Sequence, residues 1–355
     1  MKIKDIRVRK EALDLTRPYT IAYKTVSDVA VCFVEVEAEN GMIGRGAANP
    51  SKQVVGETVD QTFATLQGEG VSTYIGRDIR ELRLLCEQLH QQFPQQPGAK
   101  AALDIAFHDL FSQVIGVPLV DYLGRHHQSL ATSITIGIKN VEETLTEAQE
   151  YADRKFRILK IKLGHSVEED IERLVKLRER FGSQLGIRVD ANQGYSVQDL
   201  IHFHAQTLDL DIELVEQPLP ADAMEEMRQL PEAIKASIAA DESLVNAENA
   251  YQLAQAPLPC GIYNIKLMKC GGIYQAQRIA EMARAAGHTL MWGCNDESIV
   301  SIAAGLHVAF SCPHTRYIDL DGSLDLARDL VSGGFVIEEG MMRTIDAPGL
   351  GLQAL

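Results

Sequence analysis

Six residues with chemistry to offer recur through the middle of the chain: Lys160 with Lys162, then Asp190, Glu216, Asp241 and Lys266. In Ile158-Leu159-Lys160-Ile161-Lys162-Leu163-Gly164, apolar residues alternate with two lysines and a glycine follows, the pattern of a strand ending at a turn. Side chains two apart on a strand share a face, so both ammonium groups point the same way. Two like charges on a buried face are costly, and the cheaper state leaves one amine neutral. A neutral lysine is a general base. The same segment also fits an edge strand whose solvated lysines discourage pairing. Asp190, Glu216 and Asp241 form an all-oxygen donor set with no histidine or thiol, which selects Mg²⁺ or Mn²⁺ over zinc or copper. Magnesium leaves room for substrate oxygens, so a substrate carboxylate fits. Lysines flanking such a centre could take a proton from one face of a carbon and return one to the other. The enediolate formed between the two steps needs electrostatic support. Taken singly, each acid could instead cap a helix or sit in a turn, Asp241-Glu242-Ser243 above all.

The elements that must position these residues follow a clear rhythm. From about residue 130, short apolar strands alternate with amphipathic helices. Strands are expected at Thr132 to Gly137, Ile158 to Leu163, Ile187 to Val189, Ile212 to Val215, Ser237 to Ala240, Ile262 to Ile265, Thr289 to Trp292 and Arg316 to Leu320. From Lys162 to Lys266 the polar strand ends lie 25 to 28 residues apart, the length of one βα unit. Eight such units predict an α/β protein built on a (β/α)-barrel, with an open doubly wound sheet as the alternative. In a barrel the carboxyl ends of the strands converge on one mouth. The second strand brings Lys160 and Lys162 there, the third Asp190, the fourth Glu216, the fifth Asp241, the sixth Lys266, and the eighth Asp319 and Asp321. Residues 1–124 read differently, as a β-meander followed by helices at Glu57 to Leu66, Arg80 to Phe93 and Gly98 to Val114. Between the first two strands, Thr16 to Ser27 is too polar and irregular for a core strand. The expected division is an α+β domain at 1–124, the barrel at 125–324, and a turn-rich tail at 325–355 that returns to the first domain.

Composition excludes several classes. At 355 residues, 46% hydrophobic and 23% charged, the chain is globular, and a net charge of −15 argues against nucleic acid or an anionic membrane as partner. The six cysteines are scattered without metal-site or redox spacing and read as small core residues of a reducing compartment. With neither a signal core nor an apolar run of membrane-spanning length, a cytoplasmic protein is expected. His202-Phe203-His204 suggests a metal, but residues two apart on a helix diverge. Gly271-Gly272 could receive a phosphate or simply form a tight turn.

Several segments together resemble the enolase superfamily, its muconate-lactonising subgroup and, within it, the dipeptide epimerases. They are Lys160-Ile161-Lys162, Asp190-Ala191-Asn192-Gln193-Gly194, Val215-Glu216-Gln217-Pro218, Ala240-Asp241-Glu242-Ser243 and Asn264-Ile265-Lys266-Leu267-Met268-Lys269. The resemblance covers nearly the whole chain. It implies a modified TIM barrel, (β/α)7β, under an α+β capping domain, and one Mg²⁺ per subunit held by Asp190, Glu216 and Asp241. It implies Lys162 and Lys266 as the acid/base pair, with Lys160 holding the substrate carboxylate and keeping Lys162 deprotonated. A sugar-acid dehydratase of the superfamily would need a histidine at the seventh strand's end, whereas His288 precedes that strand.

Asp319-Leu320-Asp321 narrows the substrate. Two acids two apart repel unless a cation sits between them, and in dipeptide epimerases the pair resembles the cradle for the α-ammonium group. An ordinary turn before Gly322-Ser323 is the alternative. Lys24 resembles in position an arginine that binds the glutamate carboxylate in members acting on Ala-Glu. Cys294, Asn295 and Asp296 depart from those members, and a carboxylate at Asp296 favours a cationic side chain, unless it caps the next helix. The reading is a Mg²⁺-dependent epimerase of a dipeptide with a basic or large C-terminal residue, forming a homo-oligomer. N-acylamino-acid racemase, o-succinylbenzoate synthase or cycloisomerase is the alternative, and a non-catalytic ligand-binding protein the alternative of another class.

Overall fold

The computed structural model describes residues 1–21 and 24–355, and of residues 17–21 and 24–26 the backbone only. The chain opens as an antiparallel ribbon in which β1 (Ile3–Ile21) pairs with β2 (Lys24–Ala38), and β2 with β3 (Ile43–Ala48). The ribbon runs further than the sequence suggests. Pairing breaks register between Asp14 and Tyr19 and then resumes to Ile21–Lys24, so the segment expected to be irregular is a paired strand. The buried helix Pro97–Ile115 lies against β3. Two glycines permit the approach: a Cβ at Gly46 would stand 1.8 Å from the Ala102 carbonyl oxygen, and one at Gly44 2.2 Å from that of Ala106.

After the two-residue strand β4 (Leu130–Ala131) come eight parallel strands: β5 (Ser133–Ile136), β6 (Ile158–Lys162), β7 (Gly186–Asp190), β8 (Ile212–Glu216), β9 (Ile238–Ala240), β10 (Ile262–Ile265), β11 (Thr289–Gly293) and β12 (Thr315–Asp319). Each pairs with its neighbour in sequence order, and a Thr132–Ile318 bridge joins the first to the last, as expected of the barrel. Helices follow the first seven strands. None follows β12, where the chain turns through 320–330 into short strands β13 (Val331–Gly333), β14 (Phe335–Glu338), β15 (Met341–Thr344) and β16 (Leu352–Ala354).

Alternation along the barrel strands creates two internal layers. Leu214, Ala239, Ile262, Met291 and Tyr317 pack into a separate apolar cluster. Each stands two residues before Glu216, Asp241, Asn264, Gly293 and Asp319, so the same faces that build this plug carry the polar groups one layer nearer the mouth. Arg188, two before Asp190, borders the plug. It donates to the Ile318 carbonyl at 2.7 Å, lies over the Tyr317 ring, and pairs with Glu213 at 2.8 Å.

The tail makes extended contact with the first 124 residues. Thr16 N–H donates to the Asp325 carbonyl (2.7 Å), Ala327 N–H to that of Asp14 (2.8 Å), and Leu15 bridges Leu326. Leu350 N–H donates to Asp109 Oδ1 at 2.8 Å.

Candidate active site

Strand order decides which residues can meet. β6 and β10 stand four strands apart among eight, hence on opposite sides of the mouth, and they carry Lys162 and Lys266. The acids of β7, β8 and the β9 end lie along the arc between them. Lys162 Nζ is 2.7 Å from Asp190 Oδ2, and Lys266 Nζ is 2.7 Å from Asp241 Oδ2 and 3.8 Å from Glu216 Oε1.

Lys160 occupies the centre. Its buried Nζ lies 2.7 Å from Glu216, 2.8 Å from Asp319 and 3.4 Å from Asp190, reaching across from β8 to β12. Burial lowers its proton affinity, but Asp319, Glu216 and Asp190 reverse this and hold the ammonium well above its ordinary value. The repulsion that sequence reasoning places on the lysine doublet is thus absorbed by carboxylates, and Lys160 is a fixed positive charge.

The acids respond to the same fields. Burial pushes Asp190 and Asp241 upward, yet Lys162 and Lys160 bring the first below its ordinary value, and Lys266 and Lys269 bring the second well below. Glu216 goes the other way, to about 8, through burial and repulsion from Asp190 that Lys160 only partly offsets. Lys266 is held above its ordinary value because Asp241 and Glu216 outweigh its desolvation.

Several supporting groups lie inside the segments quoted above, where no role is read for them. Asn264 Nδ2 donates to Glu216 Oε1 at 2.8 Å. Lys269, one helical turn beyond Lys266, donates to the Asp241 carbonyl (2.6 Å), to Asp241 Oδ1 and to the Asn264 carbonyl (3.0 Å). Gln217 Oε1 accepts from Asp241 N (2.9 Å), Ser243 N (3.1 Å) and Ser243 Oγ (2.9 Å). Its φ of 32° is uncommon outside glycine, and strain of this kind collects where surroundings force it. Gly293 leaves space for Asn264 and Lys266, since a Cβ there would stand 2.7 Å from Asn264 Oδ1 and 3.0 Å from Lys266 Cε.

The two aspartates after β12 are not equivalent. Asp319 has both oxygens engaged, Oδ1 by Ser133 Oγ (2.6 Å) and Oδ2 by Lys160 (2.8 Å). Asp321 accepts from Thr135 N at 2.8 Å through Oδ2, while Oδ1 faces Cys294 Sγ at 4.0 Å. Burial and the neighbouring Asp319 push Asp321 up to about 7. Cys294 Sγ donates to the Asp319 carbonyl at 3.3 Å.

In the loop after β11, Asn295 lines a recess with Lys266, and the Asp296 carbonyl accepts from Asn49 Nδ2. Asp296 does not cap the following helix Ile299–Ser311: Ser298 Oγ accepts from Val300 N at 3.2 Å, and Asp329 accepts from Ile299 N at 2.7 Å. The Lys24 side chain lies outside the described residues. His288 is buried at the start of β11, stacked on Tyr263, and His202 faces Glu168 on the surface. Away from the mouth, Cys86, Asp104 and His108 bring potential ligand atoms within 4.8 Å of one another. Asp104 already accepts from Ile273 N at 2.6 Å, and His108 Nδ1 lies 2.8 Å from the Asp104 carbonyl. This is a hydrogen-bonded core cluster. Its carboxylate fills the helix start after Gly271-Gly272 where a phosphate could have sat.

The donor chemistry at the mouth fits a hard divalent cation. Three buried carboxylates are strung between two lysines, Asp190 and Glu216 at 3.4 and 2.7 Å from Lys160 Nζ and Glu216 and Asp241 at 3.8 and 2.7 Å from Lys266 Nζ, an all-oxygen set. Glu216 Oε2 is ion-paired with Lys160 Nζ at 2.7 Å and accepts no further hydrogen bond, which leaves lone pairs for a second cation.

Comparison with known proteins agrees with this arrangement. Residues 3–124 match the family described as mandelate racemase / muconate lactonizing enzyme, N-terminal domain, and residues 143–354 match that described as enolase C-terminal domain-like. A Desulforapulum autotrophicum protein named L-Lys-D/L-Arg epimerase is 55% identical over 355 residues, 100% of both chains. A Methylococcus capsulatus protein of the same name is 51% identical, covering 99% of each. A crystal structure of the dipeptide epimerase from Methylococcus capsulatus, complexed with Mg and the dipeptide L-Arg-D-Lys, superposes with a TM-score of 0.97 at 51% identity, covering 99% of each chain. The barrel, its covering domain and the matches over both place this chain in the mandelate racemase / muconate lactonizing enzyme family of the enolase superfamily.

Proposed function

We propose that the protein is a Mg²⁺-dependent dipeptide epimerase that inverts the C-terminal residue of its substrate by two-base 1,1-proton transfer. The chain is an isomerase acting on amino-acid derivatives, and it is similar across its whole length to proteins named epimerases. The observation that carries the mechanism is the placement of Lys162 and Lys266 on opposite sides of three buried carboxylates.

Asp190, Glu216 and Asp241 would hold the cation. Bound there, it would supply positive charge to the substrate carboxylate as the α-carbon loses its proton. Lys162 takes the α-proton from one face, and Lys266, kept as an ammonium by Asp241 and Glu216, returns a proton to the other. The reverse direction exchanges their roles. Lys160, permanently charged, stabilises the enediolate from the barrel axis. Asp321, with Asp319 behind it, receives the substrate's α-ammonium group.

The preference proposed is for a cationic C-terminal side chain, supported by the carboxylate that the sequence puts at Asp296, next to Asn295 in the loop after β11, and by relatives named for Lys and Arg substrates. Division at 1–124, 125–324 and 325–355, one cation per subunit, homo-oligomeric assembly and a cytoplasmic location complete the proposal. No described helix is long and apolar enough to cross a membrane. A D₂O exchange screen of a dipeptide library tests the reading. Exchange at the C-terminal α-carbon, fastest for Arg- or Lys-containing dipeptides, is expected, whereas faster exchange on Ala-Glu would refute the cationic preference.

A further inference from the structure

We infer that Asn49 is a positioning residue that sets the enzyme's discrimination between substrate side chains, by clamping the loop after β11 to the covering domain. The inference rests on the proposed reading of that loop as the wall facing the substrate side chain.

Asn49 immediately follows β3 and is bonded to two separate barrel elements. Its Nδ2 donates to the Asp296 carbonyl at 2.5 Å, and its own carbonyl accepts from Asn295 Nδ2 at 3.1 Å. Its backbone N–H points to Met268 Sδ at 3.3 Å, two residues beyond Lys266. A further tie close by, from Ser301 Oγ to the Ala47 carbonyl at 3.1 Å, fixes the end of β3 to the helix that follows the loop. Ser51, Val54 and Val55 from the covering domain line one recess with Lys266, Met268 and Asn295. The clamp therefore lies beside a catalytic lysine without being part of the proton-transfer pair.

Loop residues 294–298 are tied to the barrel side at their two ends, Cys294 Sγ to the Asp319 carbonyl at 3.3 Å and Ser298 Oγ to Asp329 Oδ1 at 2.9 Å. Within the loop, Asn295 N–H donates to Glu297 Oε1 at 2.8 Å and Val300 N–H to Ser298 Oγ. The carbonyl of Asp296 is held by the covering domain instead. A loop whose backbone is pinned from outside keeps its side chains in one place at low entropic cost, and a substrate then need not order it on binding. Releasing the Asp296 carbonyl loosens the middle of the loop, whose ends stay tied, while leaving Lys162, Lys266 and the three acids in position. The expected signature is a change in KM that depends on the substrate side chain, with kcat nearly preserved.

The test compares wild type with Asn49→Ala and Asn49→Ser, neither of which can reach the Asp296 carbonyl. The substrates are L-Ala-L-Arg and L-Ala-L-Leu, assayed by α-proton exchange in D₂O with saturating Mg²⁺. One buried hydrogen bond corresponds to a factor of about 3 to 10. KM for L-Ala-L-Arg is expected to rise by about that factor while KM for L-Ala-L-Leu stays within about twofold. Equal loss on both substrates with a lowered melting temperature, which a merely structural role would give, or unchanged KM values in both variants, would overturn the inference. The wild-type ratio reports separately on the substrate: a preference for L-Ala-L-Leu defeats the cationic reading while leaving the variants to judge the clamp. A wild type inert toward both defeats the two together.

Discussion

Replacing Asp321 by Asn isolates the contact that separates a dipeptide from an N-acylated amino acid. The carboxylate is buried, accepts one backbone N–H through Oδ2, and has Oδ1 turned toward Cys294. A charge-assisted hydrogen bond to an α-ammonium is worth about 1.5–3 kcal/mol, or roughly 10- to 150-fold in kcat/KM. N-acetylating the substrate removes the other half of the same pair. In a cycle of wild type and Asp321→Asn against free and N-acetyl dipeptide, the two losses should therefore overlap, with the doubly altered combination little worse than either single change. Fully multiplying losses would refute the assignment of Asp321 to the ammonium. Protonation gives a second handle. Asp321 is raised from 3.8 to about 7, so substrate must displace a proton below about pH 7, and KM for the free dipeptide should climb as pH falls through that value. The stability sign is opposite to that of an ion-paired acid. Because the folded state holds the proton more tightly, the contribution is full below the unfolded value near 3.8 and lost as pH rises through about 7. At about 1.4 kcal/mol per pKa unit, the upper bound on keeping this carboxylate charged is about 4 kcal/mol. Asp321→Asn should consequently melt above wild type at pH 8 and show less than half that gain at pH 5. A variant less stable at pH 8 would contradict that electrostatic account.

Lys162→Ala should abolish exchange from one stereoisomer and Lys266→Ala from the other, each leaving a measurable trace of the opposite half-reaction. Equal, mild losses from both isomers would count against two bases. Chelation with EDTA should stop exchange and lower the melting temperature, and Mg²⁺ should restore both; unchanged melting would argue against a cation at Asp190, Glu216 and Asp241. Lys269→Met removes the donor from Asp241 Oδ1 and from the Asp241 and Asn264 carbonyls while Lys266 still holds Asp241 Oδ2, and loss of one partner from such a buried group costs about 3–5 kcal/mol in denaturant titration. A change under about 1 kcal/mol would show that Lys269 does not hold Asp241.

The reach of the sequence ended where barrel closure began. Ile158 to Lys162 was readable because charge and hydrocarbon alternate strictly, and strand ends carrying one acid each at barrel spacing pointed to a shared mouth. The pairing of Lys160 with Asp319 was not, since 159 residues separate partners that meet only when β6 and β12 enter the same ring. The doublet looked like two charges in conflict because its counter-ions lie on other strands. Gly293 was invisible for another reason: its role is to lack a Cβ beside Lys266, and an absence leaves no periodic trace. Asn49 and Gln217 act through hydrogen bonds between loops, which no pattern of hydrophobicity encodes. The ribbon beyond Asp14 was missed because backbone pairing sustains it where side-chain alternation fails.

The missing helix after β12 has a practical consequence for anyone recombining such enzymes. The chain passes from Asp321 to its bridge with the first domain at Asp325, Leu326 and Ala327 in a handful of residues. Exchanging residues 1–124 alone would leave that bridge paired with a foreign strand and pull on the anchor of the substrate's amino end. A specificity graft must therefore treat the two chain termini as one cassette, transplanted together with the turn that follows Asp321.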